Sequence, residues 1–310
     1  MIVKKAYNIE KFFSKFHIHA LDMIVWHALR AYLNYRLPRY YRKNKSDYHY
    51  IDSSKLTDRE VIVSLTTYPK RMKSIPLVLE TIYNQSVRPT RIILWLAKDQ
   101  YNNPIKVERH LSKFVKRGLE ICYCDDLRAH KKYYYSMKEN PEALVITLDD
   151  DILYPEDMLE SLLKKHNEYP NCIVTCRAHE MKFNGKKPVK YRLWNTLARG
   201  CTGPSLNLCA TGGAGCLYPP GSLSSRVFDK DVFMGICKYA DDIWMKCMSY
   251  IQGTPIVLTG KDNPEIITVK NNDEGGLAKK NVFECQNDEQ LKAVTKRYAI
   301  KWKNVEKSCG

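Results

Sequence analysis

The sequence predicts an α/β protein: a mostly parallel, Rossmann-like sheet flanked by helices, with a helical, basic N-terminal extension. Three observations carry this. From Val61 to Ala178, short apolar runs alternate with amphipathic stretches of helical spacing, as in chains that build parallel sheets. The strand-like runs end in polar clusters at Thr66–Arg71, Asp125-Asp126 and Asp149–Asp151, and ligands of such sheets bind beyond the carboxyl ends of the strands. Residues 1–50 differ from the rest, mixing helical apolar spacing with aromatics and a terminal basic cluster.

The elements follow in order. In the extension, Phe16, Ala20, Met23, Ile24, His27 and Ala31 recur at spacings of three and four, and Arg39, Arg42, Lys43 and Lys45 follow. This reads as an amphipathic arm for an anionic membrane surface, with Trp26 and the tyrosines at the interface. A helix packed on the main domain, or a dimer contact, is the alternative. The polar stretch SDYHYIDSSKLTDRE reads as a linker. VIVSLTTYP is a buried strand running into a loop, and SIPLVLETIYNQ a helix with Pro76 in its first turn. RIILWLA and LEICYC are strands, LRAHKKYYYSMKEN a basic helix and ALVITL the strand that delivers three aspartates. PEDMLESLLKKHNEYP is a helix whose acidic start and basic end match its dipole. NCIVTCRA is again a strand. Beyond Met181 come the Gly/Pro-rich ATGGAGCLYPPGSL with a short strand at Cys216–Tyr218, a helix opening after Asp241-Asp242, short strands in PIVLTG and PEIITV, a polar loop KNNDEGGLAKKN and a terminal helix in NDEQLKAVTKRYAIKW.

At 310 residues the chain fits one large domain or one and a half. A formal net charge of +16 points to a polyanionic partner, such as nucleic acid, an anionic membrane or phosphorylated substrates. No RNA-binding signature or zinc-finger spacing accompanies it, so no nucleic acid is expected. The eleven cysteines include no C-x-x-C pair and several sit in apolar runs; they read as reduced core thiols of a cytoplasmic protein. No apolar run approaches the ~18 residues of a membrane-spanning helix, and no signal peptide is evident.

Three adjacent carboxylates at the end of a buried strand repel one another and need positive charge nearby. Mg²⁺ or Mn²⁺ fits, since it takes one or two carboxylates and completes its shell with water and substrate phosphate. An acidic N-cap, with Asp150 or Asp151 capping a helix near Pro155, is the structural alternative, though one aspartate would suffice for that.

With these residues in place, the layout resembles the GT-A superfamily of glycosyltransferases, most of all the family-2-like enzymes of bacterial surface-polysaccharide synthesis. VIVSLTTYPKR is similar to their first strand and nucleotide-contacting loop. QSVRP is similar to their Q-T-x-x-P, Asp149-Asp150-Asp151 to the D-x-D motif, and Asp241-Asp242 to a later acidic pair at a helix start. The resemblance spans about residues 58–285 and implies three regions: an extension and linker at 1–55, the transferase domain at 56–285 and a helical tail at 286–310. There are departures. Only Asp99 lies where relatives carry an acidic cluster after the second strand, HKK replaces small residues and Asn, and the Q-x-x-R-W motif of processive synthases is missing. The last implies a single transfer per acceptor.

The implied activity is a metal-dependent, inverting transfer from a nucleotide-diphosphate sugar, UDP-sugars being favoured, to a hydroxyl of a glycan or lipid-linked acceptor. That implies a cytoplasmic enzyme, peripheral on the inner face of the membrane if the arm binds it. Thr66, Thr67, Tyr68 and Arg71 are expected to line the nucleotide pocket, Tyr68 stacking on the base. Asp125 or Asp126 would contact base or ribose, and Lys131 and Lys132 the diphosphate. Asp149 is expected on the ribose side and at the metal, Asp151 as the better metal ligand, and Asp150 in either role. Gly212 and Gly213 allow close backbone approach on the acceptor side, where Trp194 offers a stacking face. Asp242 is the expected general base, with Asp241 holding the acceptor or capping the helix. His179 is expected to be structural. A nucleotidyl- or sugar-phosphate transferase is the alternative, although TTYPKRMKS lacks the glycines of their phosphate loops. A non-enzymatic basic binding protein would leave both carboxylate clusters unexplained.

Overall fold

A computed structural model describes residues 1–14, 19–43, 50–260, 265–270 and 286–303. Most of KNNDEGGLAKKN lies outside the described residues, as do Phe16 and Lys45.

The centre is a seven-stranded sheet of β1 (Val61–Thr66), β2 (Arg91–Ala97), β3 (Leu119–Cys124), β4 (Leu144–Leu148), β5 (Ile173–Thr175), β6 (Cys216–Tyr218) and β7 (Ile256–Leu258), in the order β7-β5-β6-β4-β1-β2-β3. All neighbours are parallel except β6, which runs antiparallel to both β4 and β5. The sequence-predicted α/β class, mostly parallel and flanked by helices with a helical extension, is the observed one. Every residue of β4 is buried, as expected of a strand covered on both faces. Each fully buried Val, Leu or Ile contributes roughly 1.5–3 kcal/mol.

Helices cover the sheet: α3 (Ile75–Tyr83), α4 (Lys131–Glu139), α5 (Met158–Glu168) and α6 (Asp241–Gln252), with α7 (Gln286–Arg297) packed on α6. Two polar exceptions inside the strands fix α4. Ser64 of β1 donates to the Lys132 carbonyl, and Trp95 of β2 donates to Ser136, whose hydroxyl lies 2.7 Å from that of Ser64. Gln85, just after α3, holds the segment that follows the aspartates. Its amide donates to the Pro155 carbonyl and its oxygen accepts from Leu159 N–H.

The extension forms α1 (Ile2–Ser14) and α2 (His19–Lys43), which dock on the sheet domain. Glu156 accepts from the N–H groups of Val3 and Lys4. Trp26, Arg30 and Asn34 donate to the carbonyls of Ile266, Thr268 and Val269. The buried apolar side chains are Val3, Ala6 and Tyr7 of α1, with Glu10 beside them, and Leu33, Leu37 and Tyr41 of α2. The stripe selected by spacing is therefore not the packing face, since Met23, Ile24 and His27 are exposed. Trp26 is held by a protein carbonyl rather than left open.

Three smaller expectations change. Part of the expected linker is structured, Ile51–Asp52 pairing in parallel with Val87–Arg88. The described residues of PEIITV, 265–269, form no strand; Thr268 forms a single bridge to Ile152. The short helices Pro104–His110, Ser112–Val115 and Lys230–Ile236 were not anticipated. Among the described residues none of the nine cysteines forms a disulfide, and no helix is long and apolar enough to cross a membrane.

Candidate active site

Strands β1 to β4 run parallel, so their carboxyl ends share one edge of the sheet. That edge gathers Thr66–Arg71, Asp125-Asp126 and Asp149–Asp151. The first turn of α4 adds Lys131 and Lys132, and the first turn of α6 adds Asp241 and Asp242.

Lys132 ties the two acidic groups together. Its ammonium, almost fully buried, lies 2.6 Å from Asp149 Oδ1 and 2.9 Å from Asp241 Oδ2. Burial favours the neutral amine, but Asp149 and Asp241 outweigh it and hold the lysine charged, its pKa well above the ordinary value. The reciprocal effect falls on Asp241. Burial pushes its carboxyl up, yet Lys132 brings it below the usual value. Asp242 makes no close ion pair among the described residues, and Lys132 acts on it only from farther away. Burial, then the Asp241 charge, raises its pKa, while its Oδ1 accepts the Gly212 N–H at 2.8 Å.

The other two aspartates of the run meet Arg71. Asp150 is buried, 2.5 Å from both Thr67 Oγ1 and an Arg71 guanidinium nitrogen. Asp151 lies 2.9 Å from the same nitrogen. Burial, then the Asp149 charge, raises the Asp151 pKa. The positive charge required by the acidic run is thus supplied within the chain by Arg71 and Lys132. Asp150 and Asp151 do not cap the following helix, which begins at Met158.

Asp149 is fixed by its backbone. Its N–H donates to Tyr154 Oη at 2.7 Å, and that hydroxyl donates to the Gly213 carbonyl. Gly213 packs so closely that a Cβ there would sit 1.7 Å from Asp149 Oδ2; one on Gly212 would sit 3.2 Å from Asp242 Oδ1. The two glycines therefore form a wall shared by both carboxylate groups. Tyr154 was not singled out from sequence, although its place just after the D-D-D run was visible.

The remaining expected residues are placed as follows. Lys131 pairs with Asp126 at 2.7 Å, and Gln100 also donates to Asp126. Asp125 is exposed, 3.4 Å from Lys230. Thr66 donates to the Trp95 carbonyl. Tyr68 lies beneath Arg71, whose guanidinium carbon is 5.4 Å from the ring centre. Trp194 is a correction. It is buried, with its indole N–H on the Val189 carbonyl and Tyr191 against its ring, so the stacking face expected of it is covered. His179 is structural as expected, its Nδ1 accepting from Leu197 N–H.

Among the described residues no group of three or more His, Cys, Asp or Glu is arranged to hold a metal ion. Asp150 is buried against Thr67 and Arg71, whereas the side chains of Asp149 and Asp151, paired with Lys132 and Arg71, stay 40% and 21% exposed and can be reached. Two hard carboxylates fit Mg²⁺ or Mn²⁺, which take one or two protein carboxylates when substrate phosphates and water complete the shell. A cleft of about 340 Å³ lined by Asp58, Arg59, Asn140 and Glu142 adjoins the amino ends of β1 and β4, away from these groups.

No family model and no curated protein sequence matches this chain. Solved structures do. A mannosyltransferase from Pyrobaculum calidifontis, PcManGT, in complex with GDP-Man and Mn²⁺, aligns over 89% of this chain and 73% of its own, at 14% identity and a TM-score of 0.48. S. aureus TarS 1–349 aligns over 77% and 71%, at 15% identity and a TM-score of 0.47. The same TarS segment with UDP gives 78% and 72%, 16% identity and 0.44. At these values the similarity assigns no residue and no substrate to this chain.

Proposed function

We propose that the protein is an inverting glycosyltransferase that moves a sugar from a nucleotide-diphosphate donor to a hydroxyl of a glycan or lipid-linked acceptor in cell-surface polysaccharide synthesis. The observation that carries the reading is the shared ammonium of Lys132. It brings the strand-end aspartates, suited to a donor diphosphate, next to a second acidic pair ninety-two residues later, 241 against 149. A transfer between two bound substrates needs those two groups adjacent.

Asp149 and Asp151 would hold Mg²⁺ or Mn²⁺, which when bound neutralises the charge developing on the departing diphosphate. Arg71 adds positive charge at the same end and keeps Asp150 as an anchor for the loop from Thr67. Asp126, with Gln100, offers acceptors and donors for the nucleoside. Asp242 acts as general base. Its raised pKa suits a group that takes the acceptor's proton near neutral pH, and the Gly212 N–H orients the carboxylate. Asp241, held ionised by Lys132, keeps a negative neighbour beside Asp242 and so sustains its basicity.

Thermal stabilisation by a panel of nucleotide sugars with Mn²⁺, repeated on Asp151→Asn, tests the reading, because a ligand bound only by the native state raises apparent stability. A UDP-sugar is expected to raise the melting temperature of the wild type in a metal-dependent way and to leave the variant unmoved. No shift with any nucleotide sugar, or wild-type transfer by the variant in excess EDTA, would overturn it.

A further inference from the structure

The docked helices leave an outward face that the domain does not use. Tyr7 of α1, whose hydroxyl accepts the Ile267 N–H, and Trp26, Arg30 and Asn34 of α2 all grip the segment from Ile266 to Val269, so both helices spend the same side on the domain. Opposite that side the chain is unusually apolar. Seven of the thirteen exposed large hydrophobic residues among the described ones lie between Met1 and Tyr35. They fall on helical stripes. On α1, Ile9 and Phe12 are one turn apart, Phe12 being 58% exposed. On α2, Ile24, Tyr32 and Tyr35 are 67%, 52% and 62% exposed, and the stripe continues into Arg39 and Arg42.

The charge on this face has one sign. The two acidic residues of the described extension are Glu10, which is buried, and Asp22, which is partly buried. Lys5, Arg36, Arg39, Arg42 and Lys43 are exposed. Arg39 lies over Tyr35, its guanidinium carbon 3.7 Å from the ring centre, so cation and aromatic ring are presented together. A solvated helix face would carry mixed charges and few large apolar groups. A surface built only for polyanions would not expose Phe12 and Ile24.

We infer that the outward face of α1 and α2 docks on an anionic lipid bilayer. Phe12, Ile24, Tyr32 and Tyr35 would enter the headgroup boundary, with Arg39 and Arg42 on the lipid phosphates. This face shares Ile24 with the stripe selected by sequence spacing and is compatible with the docked position of both helices. It is independent of the chemistry proposed for the sheet edge.

The experiment is co-sedimentation of the full chain with vesicles of phosphatidylcholine mixed with phosphatidylglycerol, and with vesicles of phosphatidylcholine alone. Two variants accompany the wild type: Arg39→Glu with Arg42→Glu, and Phe12→Ser with Ile24→Ser. All four side chains are exposed, so folding is preserved, and circular dichroism verifies it. The wild type is expected to bind the anionic vesicles and leave the neutral ones. Each paired variant should lose about tenfold or more in partitioning. Equal binding by wild type and both variants would overturn the inference. So would inorganic polyphosphate or duplex RNA binding that matches vesicle binding and ignores the Phe12/Ile24 change, since the face would then be a general polyanion surface. A dimer in sedimentation equilibrium that the Phe12/Ile24 change dissociates would equally overturn it, assigning the face to a second copy of the chain.

Discussion

Replacing Lys132 by methionine removes the one cation that joins the two acidic groups while keeping most of the side-chain volume. Breaking a buried ion pair by deleting one partner costs roughly 3–5 kcal/mol, because a charge is left uncompensated. Here the two partners differ. The Asp149 side chain is 40% exposed and regains water, whereas that of Asp241 is 13% exposed and does not. The cost is therefore set mainly by Asp241 and falls at the lower end, about 3 kcal/mol. Asp241→Asn alone should cost less, because Lys132 keeps Asp149. The double variant should recover part of the loss, with a coupling of about 1–3 kcal/mol, as groups in one network couple rather than add. Urea unfolding of the four proteins measures this, given unchanged m-values. Additivity within about 0.5 kcal/mol, or a Lys132→Met cost below about 1 kcal/mol, would refute the account of Lys132 as a bridge.

Other expectations follow from single contacts. Asp242→Asn should lower turnover at least about a hundredfold with donor affinity nearly unchanged; its raised carboxyl places the rising limb of the wild-type pH–rate profile above the ordinary carboxylate range, and the variant should flatten it. NMR should find an inverted anomeric centre in the product, and a retained one would defeat the single-base assignment. Gly213→Ala should mimic Asp149→Asn in donor binding, because the added methyl displaces the Asp149 carboxylate from Lys132; isothermal titration with a nucleotide sugar compares them. Glu10→Gln should stabilise the fold at high pH. Burial raises the Glu10 pKa from 4.5 to about 7, so the wild type loses stability as pH climbs through that window, by at most about 3 kcal/mol. Urea unfolding near pH 4.5 should find the two proteins equal and above pH 7 the variant more stable; equal stability at both would count against it.

The strands were legible because their composition leaves little choice. RIILWLA and LEICYC are bounded by polar residues and form strands over Arg91–Ala97 and Leu119–Cys124. Helices that bury few side chains escaped notice: Pro104–His110 buries Val107 and Lys230–Ile236 buries Phe233, too few for a period to show. In the extension, spacing selected Met23, Ile24 and His27, but the docking face is set by hydrogen bonds to the carbonyls of residues 266–269, on which composition is silent. In the candidate site the carboxylates were visible one by one. That Asp150 turns away toward Thr67 depends on a neighbour far along the chain, and that Trp194 is covered depends on a local turn that brings Val189 and Tyr191 against it, which no periodicity shows.

The HKK stretch, which departs from the resembled family, is explained by that same edge. Two lysines in the first turn of α4 oppose the helix dipole, whose positive end lies there. Burying both adds a desolvation cost. Each is answered by a carboxylate from the end of a strand: Asp126 for Lys131, and Asp149 with help from Asp241 for Lys132. Ser64 and Ser136 fix the helix against β1 so that both ammonium groups reach their partners. A fold seeking stability alone would place apolar or acidic residues in that turn. Cations held there against local preference are a local conflict of the kind expected at a functional site, which is the role proposed for this edge. Burial raises the Asp126 and Asp241 carboxyls, yet Lys131 and Lys132 bring them below the usual value and hold the two acidic groups close together, the organised charge that the proposed transfer would use.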